Sequence, residues 1–142
     1  MLKTIPNILS PDLLKIMMEM GHGDELVIAD GNFPSASIAK RLVRMDGHSV
    51  PDVLKAILKL FPLDTFVELP VVLMKTVSEE KKIPPIWREY EKIIRESGEP
   101  FSAFNYIDRF DFYEQAKRSY AVIATGEPAL YANIIIKKGI VI

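Results

Sequence analysis

The chain has no cysteine, and among its 142 residues only two are histidine and one is tryptophan. Without cysteine there is no disulfide, no thiolate nucleophile and no thiolate metal site, which fits a reducing compartment. No apolar run approaches the ~20 residues of a membrane-spanning helix, and Pro6 interrupts the amino terminus before any long apolar stretch. The expectation is a cytoplasmic protein with no membrane partner. A surplus of one charge is missing too: 18 basic side chains stand against 19 acidic ones, for a net charge of -1. No basic stripe carries interleaved aromatics, so nucleic acid is not an expected partner. A phosphate-cradling glycine loop, a serine nucleophile elbow and a dinucleotide fingerprint are also absent.

What remains is a chain of ordinary globular composition, 49% hydrophobic and 26% charged, of a length that suits one domain over 1–142. Ser10-Pro11-Asp12 reads as a helix start, with a capping hydroxyl, a proline at the first helical position and an acid in the first turn; the helix runs to about residue 20 and Gly21 stops it. Residues 25–29 are short, apolar and bounded by turn residues, hence a buried strand with Asp30 at its carboxyl end; 41–45 is a second candidate. Ser49-Val50-Pro51-Asp52 opens a helix whose Val53, Leu54, Ile57, Leu58 and Phe61 follow helical spacing up to Pro62. Strand character follows over 66–74 and a solvated loop over 75–82, and Pro84-Pro85 precedes a helix through Trp87, Tyr90, Ile93 and Ile94 to Gly98. A strand at 104–107, a helix from Arg109 to about 119 capped by Asp108, and strands at 120–124 and 131–136 complete the reading. Strands alternating with helices predict an α/β fold, a single layered domain with helices packed on a central β-sheet.

The candidate chemistry begins at Gly21-His22-Gly23-Asp24, where a histidine between glycines gains little from packing. A neutral imidazole accepts a proton at one ring nitrogen and donates at the other, which suits His22 to general acid-base work; the competing account is a loop histidine bonded to backbone. Asp30, at a strand's carboxyl end, stands where α/β sheets put ligand-binding groups, although Asp-Gly is also an ordinary turn pair. Asp24 either orients the imidazole or caps the turn. On the expected strand over 131–136, Tyr131 and Asn133 share a face and carry donors and acceptors suited to polyols. Arg109, near a helix start, is by its chemistry alone as well explained by an ion pair. His48 sits in a capping loop. A metal site from His22, Asp24 and Asp30 lacks a recognised ligand spacing, so no metal is expected.

The pieces Met20-Gly21-His22-Gly23-Asp24-Glu25, Asp30-Gly31-Asn32-Phe33-Pro34, Arg109-Phe110-Asp111-Phe112-Tyr113-Glu114 and Ala124-Thr125-Gly126-Glu127, continuing through Tyr131-Ala132-Asn133 to Gly139, occur in that order along nearly the whole chain. Their order and spacing resemble the family of L-fucose mutarotase and D-ribose pyranase. The resemblance implies an isomerase that needs no cofactor and interconverts the α and β anomers of a free monosaccharide. His22 would be the proton donor, Asp30 and Arg109 would bind substrate, and Tyr131 and Asn133 would add sugar contacts. An arginine followed by Phe110, Phe112, Tyr113 and Glu114 is similar to the fucose branch, whereas the ribose branch tends to carry histidine there. The alternatives are pyranose-furanose exchange of the D-ribose type, or a sugar-binding sensor without catalysis. Trp87 and Phe33 are candidates for an apolar wall against fucose's methyl group.

One geometric difficulty stands in the sequence itself. An extended segment over 24–29 spans roughly 20 Å and puts His22 and Asp30 at opposite ends. The expectation is an intersubunit site, in keeping with the apolar tail at 134–136 and 140–142. Family members are ring-shaped homo-oligomers, often decamers, which points the same way.

Overall fold

The computed structural model describes residues 1–77 and 82–142, so the expected loop over 75–82 lies partly outside the described residues. In chain order the elements are α1 (Pro11–Glu19), β1 (Glu25–Ala29), α2 (Ser35–Ile38), β2 (Leu42–Met45), α3 (Val50–Ile57) and β3 (Val71–Met74), then α4 (Pro85–Ser97), β4 (Asn105–Ile107), α5 (Arg109–Arg118), β5 (Ala121–Thr125) and β6 (Ile134–Lys137). Local chemistry starts two of the helices as expected. The Ser10 hydroxyl accepts from the Leu13 N–H and the Ser49 hydroxyl from the Asp52 N–H, each at 3.2 Å, with a proline in the first turn.

The strands form one six-stranded sheet in the order β2-β5-β1-β6-β3-β4. Every pairing is parallel except those of β6, which runs antiparallel to both β1 and β3. The chain lays down β1 and β2, crosses to build β3 and β4, then returns to insert β5 between β2 and β1 and finally β6 between β1 and β3. This is a topological switch point, and the carboxyl ends of β1 and β3 flank a crevice there.

Alternation along the strands supplies the two faces of an α/β sandwich. Leu26 and Ile28 pack on one side with Leu13, Leu54, Ile57 and Tyr90 from α1, α3 and α4. Val27 and Ala29 pack on the other with Phe33, Phe112 and Ala116, so α2 and α5 cover that face. Each fully buried aliphatic or aromatic side chain of this kind contributes about 1.5–3 kcal/mol.

Four elements depart from the sequence reading. The strand expected over 66–74 begins only at Val71, because the Asp64 carboxylate captures the Phe66 N–H in a turn and Pro70 has no N–H to give a ladder. Helix α3 ends at Ile57, and Phe61 reaches the core through a turn in which its N–H bonds the Ile57 carbonyl. The final strand begins at Ile134, not at Tyr131, whose φ of 56° is incompatible with an extended strand. The one-turn helix α2 was not expected.

Candidate active site

Four of the five expected site residues converge at the crevice. Asp30 follows the last residue of β1, Arg109 opens α5 just after β4, and Tyr131 and Asn133 lie in the turn that leads into β6. Together with Phe33 and Met74 they line one cavity of about 300 Å³, at the small end of the range for small-molecule sites. Phe33, one of the two apolar-wall candidates, therefore reaches the cavity.

Asp30 is 6% exposed, and its position is fixed from both sides. Its N–H donates to the Asn133 side-chain oxygen at 2.8 Å, and its carboxylate accepts from the Asn32 N–H at 2.9 Å. Burial raises the Asp30 pKa; the N–H groups of Asn32, Phe33 and Ala132 pull it down, the nearby Glu127 carboxylate adds to the rise, and the balance is upward. The same bond from Asp30 fixes the Asn133 amide, with its oxygen toward β1 and its nitrogen left as a donor. The Arg109 guanidinium is braced along α5 by a 3.1 Å bond from its Nε to the Tyr113 hydroxyl and lies 5.3 Å from that ring's centre.

Tyr131 and Asn133 do share the cavity, though not as same-face neighbours on a strand. They are brought together by a left-handed residue, a conformation costing a non-glycine about 1–3 kcal/mol. Two side chains from α4 hold it. The Trp87 indole donates to the Tyr131 carbonyl at 2.8 Å, and the buried Tyr90 hydroxyl donates to the Ala132 carbonyl at 2.6 Å. The Tyr131 hydroxyl accepts from the Val77 N–H at 3.1 Å. Trp87 is thus a strut beneath the turn, not a wall of the cavity.

His22 is not among the cavity's residues. It precedes β1, and the five residues of that strand, about 17 Å of extended chain, separate it from Asp30. At that far edge its Nε2 lies 2.9 Å from Oδ1 of Asp64, and its ring packs 5.0 Å from Phe66. The imidazole is half exposed, whereas the Asp64 side chain is 3% exposed. For the Asp64 carboxyl, burial raises the pKa, but the Phe66 N–H and the bond and charge of His22 outweigh it, and the group sits below the ordinary carboxylate range.

Asp64 was not legible as a site residue, because the pair is 42 positions apart and nothing in Pro62-Leu63-Asp64-Thr65 marks it. Asp24 takes the second of its two expected roles: it accepts from the Gly21 N–H at 2.7 Å and caps the turn. Gly139 allows the Asp64 segment to close on the end of β6: a Cβ there would fall 2.5 Å from the Leu63 carbonyl oxygen. His48 serves the backbone only, its carbonyl accepting from the Gly126 N–H.

A larger hollow of about 510 Å³ lies on the other side of the Tyr131 turn. Its buried acid, Glu127, already accepts from the N–H groups of Val50 and Ala129. Among the described residues no group of three or more His, Asp or Glu side chains converges to hold a metal ion, and no helix is long and apolar enough to cross a membrane.

Comparison with known proteins adds an independent line. Residues 3–141 match the RbsD / FucU transport protein family. A fucose mutarotase of Homo sapiens is 49% identical over 145 residues, spanning 98% of this chain and 94% of that protein. An L-fucose mutarotase of Histophilus somni (strain 2336) is 46% identical over 140 residues, spanning 99% and 97%. The crystal structure of the fucose mutarotase from Streptococcus pneumoniae in complex with L-fucose superposes with a TM-score of 0.95 at 52% identity, covering 99% of this chain and 100% of that one. With a match along almost its entire length and a shared fold, the chain belongs to the RbsD / FucU family.

Proposed function

We propose that this protein is a monosaccharide mutarotase acting on L-fucose, an isomerase that opens and recloses the sugar ring without a cofactor. The observation that carries the reading is the single cavity in which a buried carboxylate, a guanidinium, a phenol and an amide converge, in a chain about half identical to fucose mutarotases. Asp30, Arg109, Tyr131 and Asn133 are the substrate-binding residues of this reading and His22 is its proton donor.

Mutarotation begins with protonation of the ring oxygen and loss of the anomeric hydroxyl proton. Protonated His22 gives its proton to the ring oxygen, the bond from that oxygen to the anomeric carbon breaks, and the hydroxyl proton passes to the Asp30 carboxylate. The product is the open-chain aldehyde. Rotation about the bond to the carbonyl carbon presents its other face, and the protons return by the reverse route as the ring closes. Burial makes Asp30 a stronger base than an exposed carboxylate. Each positioned acid or base contributes about 10²–10⁴-fold, sufficient for a reaction that already proceeds in water.

Since His22 and the cavity occupy opposite edges of one sheet, the donor for each cavity comes from another copy. A head-to-tail contact between copies joins the two edges, and such contacts form a ring where the rotation closes. Exposed apolar side chains at both edges support this: Phe66, Val141 and Ile142 toward the His22 edge, Val77 and Leu130 at the cavity rim. A ring-shaped homo-oligomer, such as a decamer, is the assembly this reading calls for. A cytoplasmic location goes with it, since a chain without cysteine draws nothing from an oxidising compartment.

Saturation-transfer NMR of anomer exchange tests the proposal on L-fucose and D-ribose, comparing wild type with His22→Ala and Asp30→Ala. Acceleration for L-fucose that both substitutions abolish is expected. Sugar binding without acceleration by the wild type would make the protein a sensor and overturn the enzymatic reading.

A further inference from the structure

We propose that Glu127 is a positioning residue for the sugar reaction: its carboxylate pins the loop after β5, and the backbone of that loop holds Asp30 in register with the Tyr131 turn. This rests on the mutarotase reading and deepens it by naming the group that keeps the two halves of the cavity together. Glu127 is buried and is not among the cavity's residues, yet its bonds reach both sides of it. One carboxylate oxygen accepts from the N–H of Ala129, two residues before Tyr131, at 3.0 Å, and the other from the Val50 N–H at 3.3 Å. The Glu127 carbonyl accepts from the Gly31 N–H at 2.9 Å. Its own N–H donates to the Thr125 hydroxyl at 3.2 Å, which in turn donates to the Ala29 carbonyl at 2.7 Å. Both chain neighbours of Asp30 are therefore fastened through one residue, and so is the approach to the turn.

The carboxylate has a rigid anchor. Val50 opens α3, and its N–H is one of the donors that a helix start leaves without an internal partner. Ser49 takes the Asp52 N–H and Pro51 has none to give, so Glu127 completes the cap with a charge of the sign a helix start favours. Helix α3 is itself fixed in the core through Val53, Leu54 and Ile57. The loop pinned to it has little room to shift: a Cβ on Gly31 would fall 3.3 Å from the Glu127 carbonyl oxygen, and one on Gly126 would collide with the Asp46 carbonyl. Charge acts beside geometry. Asp30 shares the cavity with Arg109 and Tyr113 from α5 and Tyr131 from the turn, has Tyr90 of α4 nearby, and shares a smaller hollow with Arg44 and Asp46 at the end of β2, which pair with each other at 2.7 Å. Glu127 adds a like charge, which raises the Asp30 pKa beyond what burial does and makes that carboxylate a stronger base.

The test compares the intact wild type with Glu127→Gln and Glu127→Asp by anomer-exchange NMR of L-fucose and by amide hydrogen exchange. In the wild type the Gly31 and Ala129 amides should be protected. Glu127→Gln keeps the size and one acceptor oxygen but loses the second acceptor and the charge. Its Gly31 and Ala129 amides should exchange severalfold faster while amides inside β1 and β5 keep their protection, the mark of a local loosening. Its kcat/KM should fall about 10–10²-fold, the scale on which misplacing a reacting group by about 1 Å acts. The acid-side midpoint of its kcat/KM profile should also move to lower pH, because the like charge near Asp30 is gone. Glu127→Asp keeps the charge on a shorter arm, so its midpoint should lie nearer that of the wild type. Freely exchanging Gly31 and Ala129 amides in the wild type overturn the inference whether or not the variants fold, as does a Gln variant with wild-type kcat/KM or an unmoved acid-side midpoint. In each of those cases a wild type that accelerates anomer exchange leaves the mutarotase reading standing; a wild type that does not removes both.

Discussion

Replacing Tyr90 with phenylalanine removes one oxygen from the interior and tests how the sugar turn is held. The ring is fully buried in the core beneath α4, and its hydroxyl donates to the Ala132 carbonyl between the two turn residues that line the cavity. Burial, with the carboxylates of Glu127 and Asp30 nearby, pushes the phenol's pKa up, so it remains a donor throughout the working range. In Tyr90→Phe the packing survives, while the Ala132 carbonyl, in a residue with no exposed surface, loses its donor. Leaving a buried acceptor unsatisfied costs about 1–3 kcal/mol. For a chain of this length each kcal/mol lowers Tm by about 3–5 °C, which gives a fall of about 3–15 °C at fixed protein concentration. The second consequence is local. Tyr131, no longer opposed from both carbonyls, relaxes from its left-handed conformation, so KM for L-fucose rises severalfold and kcat changes less. Calorimetry and anomer-exchange NMR read the two effects. A variant with Tm within about 1 °C of wild type and an unchanged KM would refute the idea that this hydroxyl holds the turn.

Asp30→Asn should lower exchange by about 10²–10⁴-fold without lowering Tm at pH 7. Its folded-state pKa is raised, so the group's contribution to stability is complete below the ordinary value of 3.8 and lost as pH rises through the folded value; the variant's advantage should shrink on acidification, and a lower Tm at pH 7 would contradict this. Asp64 behaves oppositely: with its pKa depressed, its contribution is present above the ordinary 3.8 and lost as pH falls through the lower folded value. As pH falls from 3.8 toward that lower value, the wild type should therefore lose stability more steeply than Asp64→Asn, and parallel curves would count against it. Gly139→Ala would put a methyl 2.5 Å from the Leu63 oxygen and 2.9 Å from Asp64 Cα, both backbone atoms. A cost of about 1–3 kcal/mol is expected, with exchange reduced as Asp64 shifts from His22; an unchanged melt and rate would show that the close approach is dispensable.

Much of this molecule is legible where the signal is local. Ser10-Pro11 and Ser49 with Pro51 carry their helix starts within four residues, and the apolar run of β1 delivers Asp30 to a carboxyl edge whatever the rest of the chain does. The separation of His22 from Asp30 was readable for the same reason, since an extended strand has only one length. What escaped depends on contacts between distant segments. Tyr131 to Ile136 alternates like a strand, and only the donors Trp87 and Tyr90, some forty residues earlier, bend its first half into a turn. Asp64 reaches His22 because β6 enters antiparallel between β1 and β3 and carries residues 137–139 past both segments. No spacing rule encodes a strand order of that kind.

The most direct test of the account mixes two inactive variants. His22→Ala retains an intact cavity and Asp30→Ala retains an intact donor, so co-expression in equal amounts should restore about a quarter of wild-type sites if every site joins two copies at random. Anomer exchange of L-fucose on the mixed oligomer, with its composition verified by native mass spectrometry, measures that fraction. Recovery near a quarter is the predicted result; mixed oligomers as inactive as their parents would contradict a site shared between copies.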